Sequence, residues 1–375
     1  MTPELIETSS HMDELIERLN NESIIAVDTE FFRETTYYPQ LALIQIATDS
    51  IVACIDPLAF DAREALRKLF LNSKITKIFH SCSQDLEVLF YYLGQAPNAI
   101  YDTQIANALL TDHHQISYAA LVENELGTRL DKSQTRTNWL QRPLTAKQIQ
   151  YAGDDVYYLY KLQHILDKKL HQLGRETWFD EDSAKLLANE CTFQVDNDTL
   201  WRRVKGATRL NRKKLAIVQA IAIWREHLAQ QKDRNRRKIL ADDIIINLAL
   251  TVAENTRAID QIIGAKYHFD DDNKKRLLDA ITKAQQVALN DCPDDDFDTL
   301  DSDQKQTLKS LQQLINNKAE QLGISPAILS SRKELEKLIL WHDKDKKNDT
   351  RPAELNILQG WRLHYVGQEL IEVLK

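Results

Sequence analysis

The chain lacks the cysteine spacing that would mark a metal ribbon, a thiol redox centre or a disulfide framework. Its four cysteines, Cys54, Cys82, Cys191 and Cys292, make no C-x-x-C pair and have no clustered histidine partners, so reduced thiols in a cytoplasmic protein are expected. No basic segment leading into an apolar core opens the chain. Glu4, Glu7, Asp13 and Glu14 stand there instead, which speaks against a secretory signal. Long hydrophobic runs are missing too: the greasiest stretch, Ile244 to Ala253, falls far short of the ~20 apolar residues of a membrane span. A soluble protein with no membrane partner is expected. There is also no G-x-x-x-x-G-K-[ST] phosphate loop, which leaves a nucleotide-driven helicase without support.

What is present is ordinary in bulk. Over 375 residues, 43% hydrophobic and 28% charged content fits a soluble globular protein, and at roughly 100–200 residues per domain the length allows two to four domains. A net charge of −8 argues against a nucleic-acid partner, but distribution matters more than the sum. Arg202, Arg203, Lys205, Arg209, Arg212, Lys213 and Lys214 follow one another with no acid among them. Lys232, Arg234, Arg236, Arg237 and Lys238 form a second cluster that contains only Asp233. Both read either as phosphate contacts or as solvated surface charge. The acids from Asp291 to Asp303 read as a linker, because like charges oppose compaction.

Three separated pieces carry chemistry. The run Ile24-Ile25-Ala26-Val27 ends in Asp28-Thr29-Glu30, and an i, i+2 spacing puts both carboxylates on one face of a strand end. In His80-Ser81-Cys82-Ser83-Gln84-Asp85, the Ser81/Gln84 pair fits a capping box, so Asp85 projects from a first helical turn. Thr145 and Gln148 fit a second capping box, opening a helix that runs toward Gly174, and Tyr151 and Asp155 at i, i+4 share one of its faces. Each piece alone is commonplace: a strand acid, a helix-start acid, a tyrosine beside a solvated acid. Together, four carboxylates suit hard divalent ions such as Mg²⁺ or Mn²⁺. Two such ions about 3.5–4 Å apart activate a water and stabilise the leaving oxygen of a phosphoryl displacement, which is phosphodiester hydrolysis.

With these pieces in order, the sequence resembles the bacterial ribonuclease D family, in the branch of the four-acid (DEDD) exonuclease superfamily that has a tyrosine in its third motif. The likeness extends to Thr36-Tyr37-Tyr38-Pro39-Gln40-Leu41, Tyr101-Asp102-Thr103-Gln104, Leu130-Asp131-Lys132-Ser133 and Trp139-Leu140-Gln141-Arg142-Pro143-Leu144, and covers essentially the whole chain. Gln150 stands where the sister branch places a histidine, and Asn138 where the family often carries an acid. The resemblance implies a metal-dependent 3′–5′ exoribonuclease that releases nucleoside 5′-monophosphates from RNA with a free 3′ end, tRNA precursors among them. It implies that Asp28, Glu30, Asp85 and Asp155 bind two divalent ions, Mg²⁺ or Mn²⁺, and that Tyr151 positions the attacking water. An unperturbed phenol, with a pKa near 10, is poorly matched to act as the base itself.

Apolar strands over Ile24–Asp28, Leu41–Ala47, Ile51–Ile55 and Lys77–His80 alternate with helical patterns such as Asp61–Leu71 and Ser117–Leu126, which is an α/β pattern. The resemblance specifies it as a ribonuclease H-like fold, a mixed central sheet flanked by helices. Beyond about residue 190 helical patterns dominate, and Ile239–Leu248 echoes Ile328–Leu338 at an offset of 89 residues. That period is too long for a solenoid and suggests two copies of one helical domain. They resemble HRDC domains, which implies auxiliary nucleic-acid binding. The expected division is an exonuclease domain at 1–190, a basic linker at 191–209, a first HRDC domain at 210–290, then an acidic linker and second HRDC domain at 291–375, in a monomer. A DNA-directed exonuclease and a noncatalytic RNA-binding adaptor are the rival readings.

Overall fold

The computed structural model describes residues 1–190, 193, 195–293, 300–344 and 355–375. Cys191 and most of the acidic run, residues 294–299, lie outside them. The first half opens with β1 (Glu4–Ile6), α1 (Ser9–Leu19), β2 (Ile24–Phe32), β3 (Gln40–Ala47), β4 (Val52–Ile55), α2 (Arg63–Phe70), β5 (Thr76–Phe79) and α3 (Ser83–Leu93). It continues with β6 (Ile100–Asp102), α4 (Thr103–Ala108), α5 (Tyr118–Leu126), α6 (Ala146–Leu173) and α7 (Glu176–Glu190). The six strands form one sheet in the order β1-β4-β3-β2-β5-β6. Pairs β1/β4, β2/β5 and β5/β6 are parallel and β3/β4 is antiparallel, so the sheet is mixed, as expected. From Leu41 onward β3 is buried on both faces, which is why it reads as a continuous apolar run.

The expected strands need two corrections. β2 does not end at the acids but continues to Phe32, because its pairing carries the strand past the apolar run that made it visible. β1 and β6 have no counterpart among the expected strands, because three residues are too few to show a period.

Helix α6 carries the third motif, and its ends follow local rules. Thr145 Oγ1 accepts from the Gln148 N–H at 3.2 Å while Gln148 Oε1 accepts from the Thr145 N–H at 3.0 Å, and Gly174 closes the helix at φ 63°. In its interior, Gly153 allows close approach: a Cβ there would stand 2.1 Å from Pro3 Cγ and 3.2 Å from Val52 Cγ1.

The chain groups into two compact units, Met1–Phe32 with Leu41–Thr192 and Thr299–Lys375, and Arg33–Gln40 with Phe193–Asp298. The second unit is built on α8 (Arg212–Gln231), α9 (Arg236–Ile239), α10 (Asp242–Thr251), α11 (Thr256–Ile263) and α12 (Asp271–Gln286). The segment Arg33–Gln40 is tied into it. Tyr37 is buried and its hydroxyl donates to Glu226, while the Tyr37 and Tyr38 N–H groups donate to Asp233 Oδ1 at 3.0 and 2.9 Å.

In the first unit, α13 (Ser302–Leu322), α14 (Pro326–Leu329), α15 (Arg332–Lys344) and a closing helical run from Gly360 to Leu374 form a helical group, and the closing run packs on α7. Trp178 stacks on Trp361 with centroids 4.2 Å apart and planes 3° from parallel, and Arg362 forks onto Asp182 at 2.6 and 2.8 Å. The repeat is real in shape: α9/α10 and α14/α15 are each a short helix, a two-residue break and a longer helix. Its offset is 90 rather than 89, because α10 and α15 start at Asp242 and Arg332. At that offset Ile245, Leu248 and Ala249 match Leu335, Leu338 and Ile339, all buried. Among the described residues no helix is long and apolar enough to cross a membrane.

Gly153→Ala should lower stability by up to about 2 kcal/mol, since overpacking costs about 1–3 kcal/mol against the ~1 kcal/mol that alanine gains over glycine in a helix. Urea unfolding checks it. A higher midpoint would mean that Pro3 moves aside at little cost.

Candidate active site

Strand alternation places Asp28 and Glu30 on one face of β2 and turns Thr29 to the other. Helix α6 packs against β2 and contributes Asp155 one turn after Tyr151. Carboxylate oxygens of Asp28, Glu30 and Asp155 lie within 4.8 Å of one another. Asp85 is not in that trio. It is buried at the start of α3, and its Oδ1 accepts from the Thr29 hydroxyl, although it is close enough for the Asp28 charge to act on it.

The electrostatics follow from crowding acids away from water. Burial, then the Asp155 charge, raises Asp28 to about 8. Burial and the charges of Asp28, Asp155 and Asp85 raise Glu30 to about 10. Asp155 rises to about 7, mainly by burial and against a hydrogen bond from Tyr151. Burial and the Asp28 charge hold Asp85 well above the usual carboxylate range. An all-oxygen set of this kind fits a hard divalent cation, whose charge converts the repulsion into attraction.

Tyr151 is half-buried, and its hydroxyl lies 3.3 Å from Thr135 Oγ1. Burial and the Asp155 charge push the phenol above its ordinary value, so it stays protonated at neutral pH and offers an O–H rather than a base. The nearby imidazole of His80 is no substitute. Its Nδ1 is 2.9 Å from Thr103 Oγ1 and its Nε2 3.1 Å from the Ile116 carbonyl, and burial lowers its pKa.

The turn before α3 differs from the expected capping box. Ser81 has φ 61°, a left-handed backbone unlike the extended one of an N-cap, and the cap position falls on Cys82 with no side-chain cap bond. The free N–H groups go to a stronger acceptor: the buried Asp102 carboxylate on β6 accepts from Ser81 at 2.9 Å, Cys82 at 2.9 Å and Gln104 at 2.7 Å. Asp102, Thr29, Thr135 and Tyr118 are therefore site residues that motif reading missed. Tyr118 donates to the Asp154 carbonyl at 3.1 Å, and burial, with the Asp155 and Asp28 charges after it, holds its phenol well above its ordinary value. Asp102 lay within the Tyr101–Gln104 motif without a role attached. Thr29 likewise lay inside Asp28-Thr29-Glu30 without a role, and nothing local marks Thr135 or Tyr118.

Comparison with known proteins agrees with this geometry. Residues 3–171 match the family described as 3′–5′ exonuclease, residues 214–281 the HRDC domain, and residues 303–370 the C-terminal HRDC domain of ribonuclease D. Ribonuclease D from Bartonella henselae is 32% identical over 374 residues, covering 99% of this chain and 90% of that protein. Ribonuclease D from Haemophilus influenzae is 34% identical over 357 residues, covering 94% and 88%. Among solved structures, RNase D from Escherichia coli, described as an exoribonuclease involved in structured RNA processing, superposes with a TM-score of 0.85 at 28% identity, covering 100% of this chain and 99% of that one.

The raised carboxylates set a pH signature. Asp28 and Asp155 hold protons up to about 8 and about 7 when folded but only to about 3.9 when unfolded, so the folded state binds more protons between those limits. Stability in a chelator should fall as pH rises from about 4 to about 8. Mg²⁺ or Mn²⁺ should raise the unfolding temperature most at the alkaline end, where protons compete least. Thermal melts across pH with and without metal test this; no metal-induced shift at about pH 8 would remove the cation site.

Proposed function

The chain belongs to the ribonuclease D family and is a 3′–5′ exoribonuclease, and from that premise we propose that it trims structured RNAs, such as tRNA precursors, one nucleotide at a time by two-metal hydrolysis. The products are nucleoside 5′-monophosphates. The observation that carries the mechanism is the trio of carboxylates gathered within 4.8 Å beside a protonated tyrosine. When bound, a pair of Mg²⁺ or Mn²⁺ ions supplies an activated water and stabilises charge on the leaving oxygen.

The residues divide the remaining work. Asp28, Glu30, Asp85 and Asp155 would hold the ions, directly or through water. Tyr151 points its O–H at the attacking water and fixes its approach, a positioning role that suits a phenol held protonated. Thr29 and Asp102 orient Asp85 and the turn it projects from. Structured RNA as substrate is supported by the structured RNA processing ascribed to the Escherichia coli relative. We further propose that the protein acts as a cytoplasmic monomer. Its sequential organisation would be an exonuclease domain at 1–190, a basic linker at 191–209, and HRDC domains within 210–290 and 291–375.

Incubation with matched 3′-tailed RNA and DNA, with and without metal, resolves the reaction: RNA shortened stepwise to 5′-monophosphates only with metal is expected. Preference for DNA would overturn the substrate, and cleavage in chelator the mechanism. Asp28→Asn should abolish hydrolysis while sparing RNA binding, since it removes a ligand charge at nearly constant size. Tyr151→Phe should slow single-turnover cleavage by about 10²–10⁴-fold, the range of a positioned acid–base group, with the half-saturating metal concentration nearly unchanged. Wild-type rates in Tyr151→Phe would reduce Tyr151 to packing.

A further inference from the structure

The second unit holds a cavity of about 290 Å³ walled largely by arginine. Arg33, Arg203, Arg225, Arg236 and Arg237 line it, with Asp242 the carboxylate among the lining residues. Leaving Arg33 aside and counting Glu226, which pairs with Arg236, the four guanidiniums of Arg203, Arg225, Arg236 and Arg237 face two acids. Guanidinium stays charged at any physiological pH, so the imbalance does not titrate away. The setting is distinctive in a protein of net charge −8.

Two of these side chains are held in place by the fold. Arg236 pairs with Glu226 and lies over the Tyr37 ring, 4.8 Å from its centroid. Arg225 is only 4% exposed, and its Nη1 donates to the Leu240 carbonyl at 2.9 Å and to Asp242 Oδ1 at 2.7 Å. Its Nε–H, equally buried, has no protein acceptor, and neither does the buried hydroxyl of Thr36 on the same wall. A buried donor without an acceptor costs about 1–3 kcal/mol, so a lone pair supplied from the cavity would be rewarded. Arg203 and Arg237 are exposed, and Arg237 stands 3.7 Å from Asp242, outside hydrogen-bond range.

A purely structural network of ion pairs is the plainer alternative, and Arg225/Asp242 and Arg236/Glu226 are such pairs. It does not account for further arginines gathered on a polar cavity, nor for buried donors of its lining residues left without an acceptor. The ligand chemistry that answers both is an oxyanion with several acceptor lone pairs, for which guanidinium forks are well shaped. At roughly 30 Å³ per water, the cavity takes a phosphate group together with part of its hydration.

We propose that this cavity is a phosphoryl-binding site that engages an internal phosphodiester of the RNA, with Arg203, Arg237 and Arg225 as its donors. The identity of the phosphate rests on the RNA-processing reading above; the anion site itself does not. A free phosphate or mononucleotide offers the same oxygens and is the competing source.

The test uses the full chain in EDTA, so that binding is read without hydrolysis. Anisotropy of a labelled 3′-tailed RNA hairpin is followed over a series of NaCl concentrations for wild type, for Arg203→Ala/Arg237→Ala and for Arg257→Ala, an exposed arginine of the same unit outside the cavity. The double variant should bind about tenfold more weakly, as expected when a charge-assisted hydrogen bond to phosphate is removed. Its slope of log affinity against log salt should drop by roughly 0.7–0.9 for each phosphate no longer neutralised. Its melting temperature should match wild type. Equal slopes for wild type and double variant, or an equal drop in Arg257→Ala, would overturn the cavity as an RNA contact. In a second arm, sodium phosphate and AMP are added in thermal melts. If they stabilise wild type but not the double variant while RNA slopes stay equal, the phosphodiester assignment falls in favour of a free phosphate. Failure of wild type to shorten RNA would instead overturn the functional reading and leave these binding results standing.

Discussion

Mutual repulsion among three carboxylates held within 4.8 Å is the constraint on which the exonuclease fold turns. Left to relax, such groups would separate into water. They are kept together by two elements that cannot easily yield: a central strand that fixes Asp28 and Glu30 through alternation, and a 28-residue helix that fixes Asp155. The helix is pinned at its start by a reciprocal capping box and seated closely on the sheet side at Gly153. Burial first, and the repulsion after it, appear as protons retained to about 8 on Asp28 and about 10 on Glu30. A site that resists its own charge is one already shaped for a cation, so little reorganisation accompanies binding.

The fourth acid is handled differently. Asp85 hangs from a turn whose backbone N–H groups are collected by Asp102 two strands away from β2, and its own carboxylate is steadied by Thr29. A carboxylate accepting three N–H bonds makes a firmer anchor than a serine hydroxyl, which explains both the left-handed Ser81 and the absence of a side-chain cap. The result is one acid oriented by hydrogen bonds beside three oriented by strand and helix.

Charge is segregated rather than averaged. Within the second unit, Glu226 is buried against Arg236 and Tyr37, and the hydrogen bonds from both depress its pKa although burial alone would raise it. The same bonds hold the Arg33–Gln40 segment in that unit, so an aromatic with a hydroxyl does the joining: the ring fills apolar space while the O–H satisfies the buried acid. Arginines that are not needed for that pairing remain at a polar cavity.

Taken alone, the sequence determined what is local. An apolar run with acids at i, i+2, a tyrosine and an acid at i, i+4, and a Thr145/Gln148 box closed by Gly174 are set by strand and helix periods, so the elements and their shared faces were legible. Matching motifs in order then made the family legible as well. Only the tertiary structure decided what depends on distant partners. Strand pairing extended β2 to Phe32, Asp102 displaced Ser81 from the cap, and buried packing moved the repeat offset to 90. Trp178 and Trp361, 183 positions apart, joined the last helices to the exonuclease unit. These outcomes hang on contacts between residues far apart in the chain, and no period along the sequence encodes them.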